Sequence, residues 1–192
     1  MLGPRTLTTE EQRALLRATA SHPRDHLVVS LALGTGLRLG ELVGLDVGDV
    51  FFPGGQPRIR IVVRPEIAKR GRTGDVFLPD ALVPKVRSFW AYKLIHHERI
   101  EPPAPLFCSL SRRRISPRRI QVVVRAWQAQ AGFARLYPFH ALRHSAVTNV
   151  YRASKNLFLA QRFARHASPL TTVIYTHPSD DELREGVRSL TC

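Results

Sequence analysis

The chain has 192 residues and a hydrophobic content of 44%, which are sufficient for a globular core of its own. Its 29 Lys and Arg residues outnumber its 15 Asp and Glu residues, so the formal net charge is +14. This surplus favours a polyanionic partner, and nucleic acid rather than a membrane, because no long basic amphipathic helix stands apart from the core pattern. No apolar run reaches membrane-spanning length, so no membrane partner is expected.

The cysteine content and the first residues indicate the compartment. Only Cys108 and Cys192 are present, which implies no disulfide framework, and the apolar surroundings of Cys108 disfavour a catalytic thiol. The opening segment MLGPRTLTTEEQ lacks the apolar region of a signal peptide. We therefore expect a cytoplasmic protein.

The first part of the chain has a helical pattern. TTEE at 8–11 has the spacing of a capping box and predicts a first helix. A second, largely apolar helix is predicted over 25–33, with Gly36 as a plausible terminator. A third helix follows at once, and there Arg38 and Glu41 share a face. They form either an ordinary surface pair or an arginine held at the helix start, with Glu41 fixing its backbone or its guanidinium.

Between residues 47 and 80 the pattern changes from helical to strand-like. Short runs rich in Val, Ile and Phe are separated by turn residues, which predicts three antiparallel strands with a basic hairpin tip at 69–74. The runs are DVFF at 49–52, RIRIVV at 58–63 and GDVFLP at 74–79. We therefore predict a mixed α/β fold, mainly α-helical with a small three-stranded antiparallel sheet.

The most basic stretch lies in the second half, after a helix predicted over 81–98 and a proline-rich connector at 101–105. Ser116 and Pro117 have the cap-plus-proline pattern of a helix start. Positive side chains at a helix N-terminus oppose the helix dipole, so they favour a bound anion there, although a solvated charge cluster is the alternative. The arginines concerned are Arg112, Arg113, Arg114, Arg118 and Arg119.

A cluster of chemically capable side chains follows Pro138. A helix is predicted from about residue 139, on which His140 and His144 have the spacing of a metal-binding pair. No third ligand accompanies them and Arg143 would repel a cation, so we predict no metal. A further short helix, LTTVIYTH, is predicted to begin after Ser168-Pro169 and carries Tyr175.

Taken together, these motifs make the chain resemble the catalytic domain of the tyrosine recombinases, the phage integrase and Xer-type family. The resemblance covers roughly the whole chain, 1–192, and implies the recombinase catalytic-domain fold without the usual N-terminal domain that clasps DNA. The matching motifs, in chain order, are TGLRLGEL at 35–42, AKRGRTGDVFLP at 68–79, HALRH at 140–144 and RHASPLTTVIYTH at 165–177.

The resemblance implies a site-specific recombinase that cleaves and rejoins duplex DNA through a 3′-phosphotyrosine intermediate. It assigns Tyr175 as the nucleophile, with the scissile phosphate held by two arginines and a histidine. A lysine would protonate the leaving oxygen and a second histidine would assist proton transfer at the tyrosine. These residues are Arg38, Arg143, His166, Lys69 and His140, respectively. No cofactor is expected, because fixed guanidiniums can stabilise the developing charge and the covalent link conserves the bond energy.

The expected partners also follow from the resemblance. Double-stranded DNA would be contacted by Arg70, Arg72 and Arg165 in addition to the basic stretch. The segment 180–190, DDELREGVRSL, resembles the family's tail that docks on a neighbouring protomer. We therefore expect a tetramer on paired DNA sites and a monomer or weak oligomer without DNA. The chain departs from the family at Ala141, where Asp is frequent, and at Ala164-Arg165, where Leu-Gly is common.

Two rival functions remain open from the sequence. The first is a DNA-binding module of this family without strand transfer, which would be marked by loss of a catalytic residue. The second is DNA relaxation of the type IB topoisomerase kind, which shares the same chemistry. Attachment of Tyr175 to DNA separates the first rival from the recombinase, and joining of two sites separates the second.

Overall fold

In the computed structural model of the protein, residues 6–71, 73–174, 184, 187 and 188 are described, and a buried helix lies at their centre. This helix, α2 (Pro23–Thr35), is apolar on nearly every face and packs against α1 (Thr9–Thr19), α5 (Val83–Ile95) and α7 (His140–Ser154). A helix buried all round needs no polar face, which is why the apolar pattern of 25–33 predicted it correctly.

The remaining elements flank this central helix. They are α3 (Leu39–Gly44), α4 (Val47–Val50), β1 (Arg60–Val63), β2 (Gly74–Phe77), α6 (Pro117–Gln130), α8 (Leu157–Ala164) and α9 (Leu170–Val173). Single 3-10 turns lie at Lys69–Gly71 and Asp80–Leu82. The helix predicted over 81–98 is therefore shorter than expected, because α5 begins after the second turn and ends at Ile95.

Local caps set several helix starts as predicted. At α1, the Thr8 hydroxyl accepts from the Glu11 N–H at 3.1 Å, and the Glu11 carboxylate accepts from the Thr8 N–H at 2.8 Å. At α6, the Ser116 hydroxyl accepts from the Arg119 N–H at 3.2 Å. Each cap satisfies helix N–H groups that have no partner inside the helix.

The prediction of a three-stranded sheet is wrong in one strand. In the described part of the chain, the sheet consists of β1 and β2 only, paired antiparallel from Arg60↔Phe77 to Val63↔Gly74. The first half of the expected strand lies in α4 instead, because the Asp49 carboxylate accepts from the Asp46 N–H at 2.8 Å and starts a helical turn, and Phe51 then makes only an isolated antiparallel bridge to Pro57. Arg64 then binds both carboxylates, at 2.6 Å to Asp46 and 2.9 Å to Asp49.

Two apolar clusters make up the interior. The larger surrounds α2, and the smaller lies between α7 and α8 around Val147, Ala160 and Ala164. The clusters meet where the Phe163 ring lies against Gly36, so closely that a Cβ there would be 2.9 Å from the ring. This junction brings the ends of α2 and α8 together. Within the residues described, no helix is long and apolar enough to cross a membrane.

We predict different effects of alanine at two neighbouring turn glycines. Gly54 and Gly55 have φ of 87° and 85°, so a side chain at either should cost about 1–2 kcal/mol of backbone strain. A Cβ at Gly55 would also lie 2.3 Å from the Trp90 ring, whereas one at Gly54 meets nothing within 4 Å. Gly55→Ala should therefore lower the free energy of unfolding by a further ~1–3 kcal/mol relative to Gly54→Ala, measured by urea denaturation. Equal losses would show that the Trp90 ring yields without cost.

Candidate active site

Arg143 is the buried centre of the site. Its side chain projects from α7 into the junction of the two apolar clusters, and the residue is 1% exposed. Nη1 donates to the Gly36 carbonyl at the end of α2, and Nη2 donates to the Ala164 carbonyl at the end of α8. The C-terminal ends of helices carry partial negative charge, so they favour a cation. These carbonyls orient the guanidinium without carrying a net charge that would neutralise it.

Arg38 is held at the start of α3 by Glu41. One Glu41 oxygen accepts from the Arg38 N–H at 2.8 Å, and the other accepts from Arg38 Nη1 at 2.8 Å. Glu41 is 1% exposed, whereas the Arg38 side chain retains 25% of its exposure. The arrangement therefore matches the second interpretation of the sequence pair, in which the carboxylate fixes both the backbone and the guanidinium.

Glu41 has a second cationic partner, Arg165. Arg165 Nη2 lies 2.5 Å from Glu41 Oε2, and its side chain is only 9% exposed. Burial raises the pKa of the Glu41 carboxyl, but the charge of Arg165 and the hydrogen bonds from Arg38 outweigh that effect and bring the pKa below its ordinary value. Glu41 is thus an ionised, buried carboxylate shared between two arginines.

His166 lies directly after the turn that ends α8. Its N–H donates to the Gln161 carbonyl at 3.1 Å, and the Gln161 side-chain amide donates to the His166 carbonyl at 3.2 Å. The ring Nδ1 is 3.0 Å from the Thr172 hydroxyl, at the end of α9. Backbone and ring are therefore both fixed, by α8 on one side and α9 on the other.

Burial and nearby positive charges lower the pKa values of the histidines in the site. Burial, followed by the charges of Arg143 and Arg38, lowers the pKa of His166 to about 4. Burial likewise lowers the pKa of His144 to about 4, with the neighbouring His140 and Arg143 contributing. Both rings are therefore neutral near pH 7, and an anion entering the site would oppose this shift.

His140 and Lys69 complete the cluster. His140 opens α7, and its ring lies edge-on to His144 with the centroids 4.4 Å apart. Partial burial lowers its pKa, and the charges of Arg143, Arg38 and Lys69 lower it further. Lys69 is exposed in the 3-10 turn between β1 and β2. The structure thus brings the charges of Arg38, Arg143 and Lys69 within electrostatic range of His140, and those of the two arginines within range of His166 as well.

The arginines predicted to bind DNA fall into two groups. Arg112 and Arg113 in the preceding loop, and Arg118 and Arg119 in the first turn of α6, are exposed. Arg114 is exposed as well, but it is tied to the fold. Arg114 differs, because Nη1 donates to the carbonyls of Val43 and Leu45 at 2.9 Å each and Nη2 pairs with Asp46. Its guanidinium ties the basic loop to the fold.

Some predicted residues lie outside the described part of the chain. Tyr175 directly follows Ile174, the last residue of the continuous described range, and Arg72 falls in the gap between 71 and 73. His177, the last residue of the final motif, is also outside it. Arg70 is described only as part of the 3-10 turn that contains Lys69. The assigned roles of these residues stay predictions.

The structure adds contacts that the sequence did not reveal. Thr172 orients the His166 ring. The two residues are only six apart in the sequence, but no motif pointed to this contact. The carbonyls of Gly36 and Ala164 hold Arg143 across 107 and 21 residues, distances that leave no pattern in the sequence. Beside the site, a cavity of about 880 Å³ lies between β2 and α8, with Arg165 and His166 in its wall.

A possible metal centre was tested against the same region. Among the residues that the structure describes, no group of three or more His, Cys, Asp or Glu side chains is arranged to hold a metal ion. Burial and the charge of Arg143 both lower the pKa values of His140 and His144. The local charge suits an anion better than a cation.

Comparison with known proteins places this geometry in a family. A model of the phage integrase family matches residues 5–182. The tyrosine recombinase XerC of Caldanaerobacter subterraneus is 30% identical over 188 residues, covering 96% of this chain and 50% of that protein. The XerC of Vibrio vulnificus is 34% identical over 178 residues, covering 91% of this chain and 53% of that protein.

Solved structures give the same result. A crystal structure of XerA recombinase matches with a TM-score of 0.81 and 29% identity, covering 100% of this chain and 68% of that one. A crystal structure of XerH recombinase bound to its difH substrate matches with a TM-score of 0.77. At 23% identity, covering 98% of this chain and 54% of that one, the second likeness shows the fold alone.

The chain therefore belongs to the phage integrase family of tyrosine recombinases, with the fold of their catalytic domain. It spans about half the length of the curated relatives it matches. The recombinase fold predicted from the motifs is confirmed, apart from the missing third strand.

We predict that stability falls as the pH is lowered from 6.5 towards 4. His144 and His166 have pKa values of about 4 in the folded protein against an ordinary 6.5, so the unfolded chain binds protons first over this range. Below about pH 4 both states are protonated and these two groups contribute no further change. His144→Gln, followed by urea denaturation at each pH, should show a shallower decline than the unaltered protein. Parallel declines would contradict the depressed pKa of His144.

Proposed function

We propose that the chain is the catalytic domain of a site-specific DNA recombinase, which cuts and rejoins duplex DNA through a 3′-phosphotyrosine intermediate. One observation carries the proposal, namely that both arginines lie next to the turn that carries His166: Arg143 donates to the Ala164 carbonyl, and Arg38 is linked through Glu41 to Arg165. A phosphodiester supplies negative charge to match these arginines. The curated relatives, which are named tyrosine recombinases, support the same reading.

The chemistry needs a nucleophile, a clamp for the phosphate and an acid. The Tyr175 hydroxyl oxygen attacks phosphorus, a 3′-phosphotyrosine bond forms, and the bond from phosphorus to the 5′ oxygen breaks. Arg38 and Arg143 stabilise charge on the non-bridging oxygens with charge-assisted hydrogen bonds. Rejoining reverses these steps with a new 5′ hydroxyl, so no external energy source is consumed.

The remaining side chains move or donate protons. His166 is neutral near pH 7, and with Thr172 at Nδ1 its Nε2–H serves as a donor to a non-bridging oxygen. Lys69 protonates the leaving 5′ oxygen, and its exposed place in a turn between two strands suits a group that closes onto DNA. His140, neutral and beside Arg143, accepts the tyrosine proton.

The DNA-binding surface is proposed to extend from the site along the start of α6. Exposed Arg112, Arg113, Arg118 and Arg119 contact phosphates and position the duplex, while Arg70 and Arg72 act from the basic hairpin tip that the sequence predicts at 69–74. Arg114 contributes through the shape of the loop that it anchors. Arg165 is enclosed by the fold and acts within the pocket rather than along the duplex.

The assembly and the setting are also part of the proposal. Segment 180–190 docks on a neighbouring protomer, giving a tetramer on paired DNA sites and a weaker association without DNA. Its resemblance to the family's tail supports this arrangement. A cytoplasmic setting fits the low cysteine content and the expected DNA partner.

We predict that the chain becomes covalently attached to a nicked suicide substrate carrying its target site. Tyr175→Phe should abolish the adduct, because it removes the attacking oxygen, while leaving the dissociation constant for DNA within about twofold. Arg38→Ala should slow adduct formation on the order of 100-fold, the usual effect of removing one fixed donor to a developing oxyanion. The adduct is measured by denaturing gel electrophoresis at saturating DNA.

The matched control is Tyr151→Phe, which removes a hydroxyl from a tyrosine on α7 that has no assigned role. It should form the adduct at the normal rate. Absence of any adduct, with intact binding, would favour a DNA-binding module without strand transfer. Adduct formation with relaxation of supercoils, but no joining of two sites, would favour the topoisomerase-like reading.

We predict a steep salt dependence of DNA binding. The logarithm of the affinity should fall by about 0.9 per log unit of salt for each phosphate contacted. Arg118→Ala should lower this slope by about one contact, because it removes an exposed cation at the start of α6. Arg13→Ala removes the same charge from an exposed position on α1 and should leave the slope unchanged. Fluorescence anisotropy from 50 to 300 mM salt (roughly the range in which release of condensed counterions dominates) distinguishes the two variants, and equal slopes would argue against a phosphate contact at Arg118.

A further inference from the structure

We propose that Arg165 is a positioning residue of the active site, which neutralises Glu41 and thereby leaves the Arg38 guanidinium available to the scissile phosphate. This inference rests on the proposed function, since it assigns a role in phosphate binding. It concerns the position at which the chain departs from the Leu-Gly that is common in the family. The departure places a charged side chain where a glycine is expected.

The backbone at Arg165 favours glycine. Arg165 has φ of 52°, in the left-handed region, and its N–H donates to the Arg162 carbonyl at 3.0 Å. His166 N–H donates to the Gln161 carbonyl at 3.1 Å, which completes the two hydrogen bonds of a Schellman motif. Glycine is the usual residue at this point of the motif, so an arginine there carries strain that its side-chain contacts must offset.

The side chain of Arg165 makes a long-range ion pair that offers this compensation. Its Nη2 reaches Glu41 Oε2 at 2.5 Å across 124 residues. The same Glu41 oxygen accepts from the Arg38 N–H, and the other Glu41 oxygen accepts from Arg38 Nη1. Without Arg165, the Arg38–Glu41 pair would be neutral overall. With Arg165, the three side chains together carry one positive charge.

One nitrogen of the Arg165 guanidinium makes no hydrogen bond to the described residues. Nη1 is fully enclosed and has no hydrogen-bond partner among the described residues. Leaving such a donor unpaired costs roughly 1–3 kcal/mol, or more when the group is charged. A second hydrogen bond to Glu41 would satisfy it once Arg38 turns towards the DNA and releases the other Glu41 oxygen. The free Nη1 therefore favours the arrangement in which Arg165 holds Glu41 and Arg38 is available to the phosphate.

A neighbouring residue makes room for the Arg165 stem. Gly74, the first residue of β2, lies so close that a Cβ there would be 2.7 Å from Arg165 Cδ. The aliphatic part of Arg165 is thereby held against the strand that follows the Lys69 turn. Arg165 contacts the pieces of the chain that present Arg38, His166 and Lys69, which is the placement that a positioning residue requires.

The decisive experiment measures adduct formation by Arg165→Gly and Arg165→Lys on the nicked suicide substrate. Arg165→Gly should slow the covalent step roughly ten- to a hundredfold at saturating DNA, because Arg38 is then held by an unshared carboxylate. The dissociation constant for DNA should change less than about threefold. Glycine suits the backbone, so the melting temperature should not report a folding defect. Arg165→Lys retains the charge and should recover part of the rate.

A double-mutant cycle with Glu41→Gln identifies the route of the effect. In the Glu41→Gln background the carboxylate charge is gone, so Arg165→Gly should have little further effect on the rate. The matched control is Arg162→Ala, which removes an exposed arginine from α8, in the wall of the same cavity, without touching Glu41. It should leave the rate unchanged.

The outcomes separate this inference from the proposed function. Adduct formation by the unaltered chain tests the recombinase proposal alone. If Arg165→Gly forms the adduct at the normal rate, Arg165 has no positioning role. If Arg165→Gly lowers the rate equally in both backgrounds, Arg165 acts on the DNA directly and not through Glu41, which also overturns the inference. Equal losses of rate and affinity would do the same.

Discussion

The active site depends on how one buried charge is held. Arg143 is almost wholly removed from water, and an unpaired buried cation would be strongly destabilising. The C-terminal carbonyls of α2 and α8 offset this cost, so the residue that we propose to bind the phosphate also joins the two apolar clusters. Any movement of α8 relative to α2 would disturb both the core and Arg143. The placement of α2 and α8 relative to each other therefore determines the position of the Arg143 guanidinium.

Because these contacts fix positive charge without cancelling it, the pocket is preorganised for an anion. Burial lowers the pKa values of His144 and His166, and the positive charge of Arg143 lowers both further. Fixed dipoles and charges need not reorganise when negative charge develops on a substrate, which is how a protein can stabilise a phosphoryl transition state through side chains alone. The Glu41 carboxylate holds two of the positive groups, Arg38 and Arg165, in place through ion pairs.

The sequence predicted what short-range contacts decide. The caps at Thr8 and Ser116 join residues three apart. The helix α2 is recognisable from its own apolar residues, without knowledge of what packs against it. The prediction of a third strand was wrong because the helical turn that begins at Asp46 is stabilised by Arg64, which lies 18 residues away in the sequence. The motifs identified the family, and the catalytic positions that they assign stay predictions. They could not supply the bond from Arg165 to Glu41, because 124 residues separate the partners and each looks like an ordinary surface charge.

The contact between Gly74 and the Arg165 stem means that the two positions cannot vary independently. Any side chain at Gly74 would force the Arg165 stem to shift, and a chain with glycine at position 165 would leave position 74 free to carry one. The two positions therefore form one packing unit. A protein engineer who transplants the last motif of this chain into a relative must transplant the start of β2 with it, and homologues that carry a basic residue at position 165 should carry a small one at position 74.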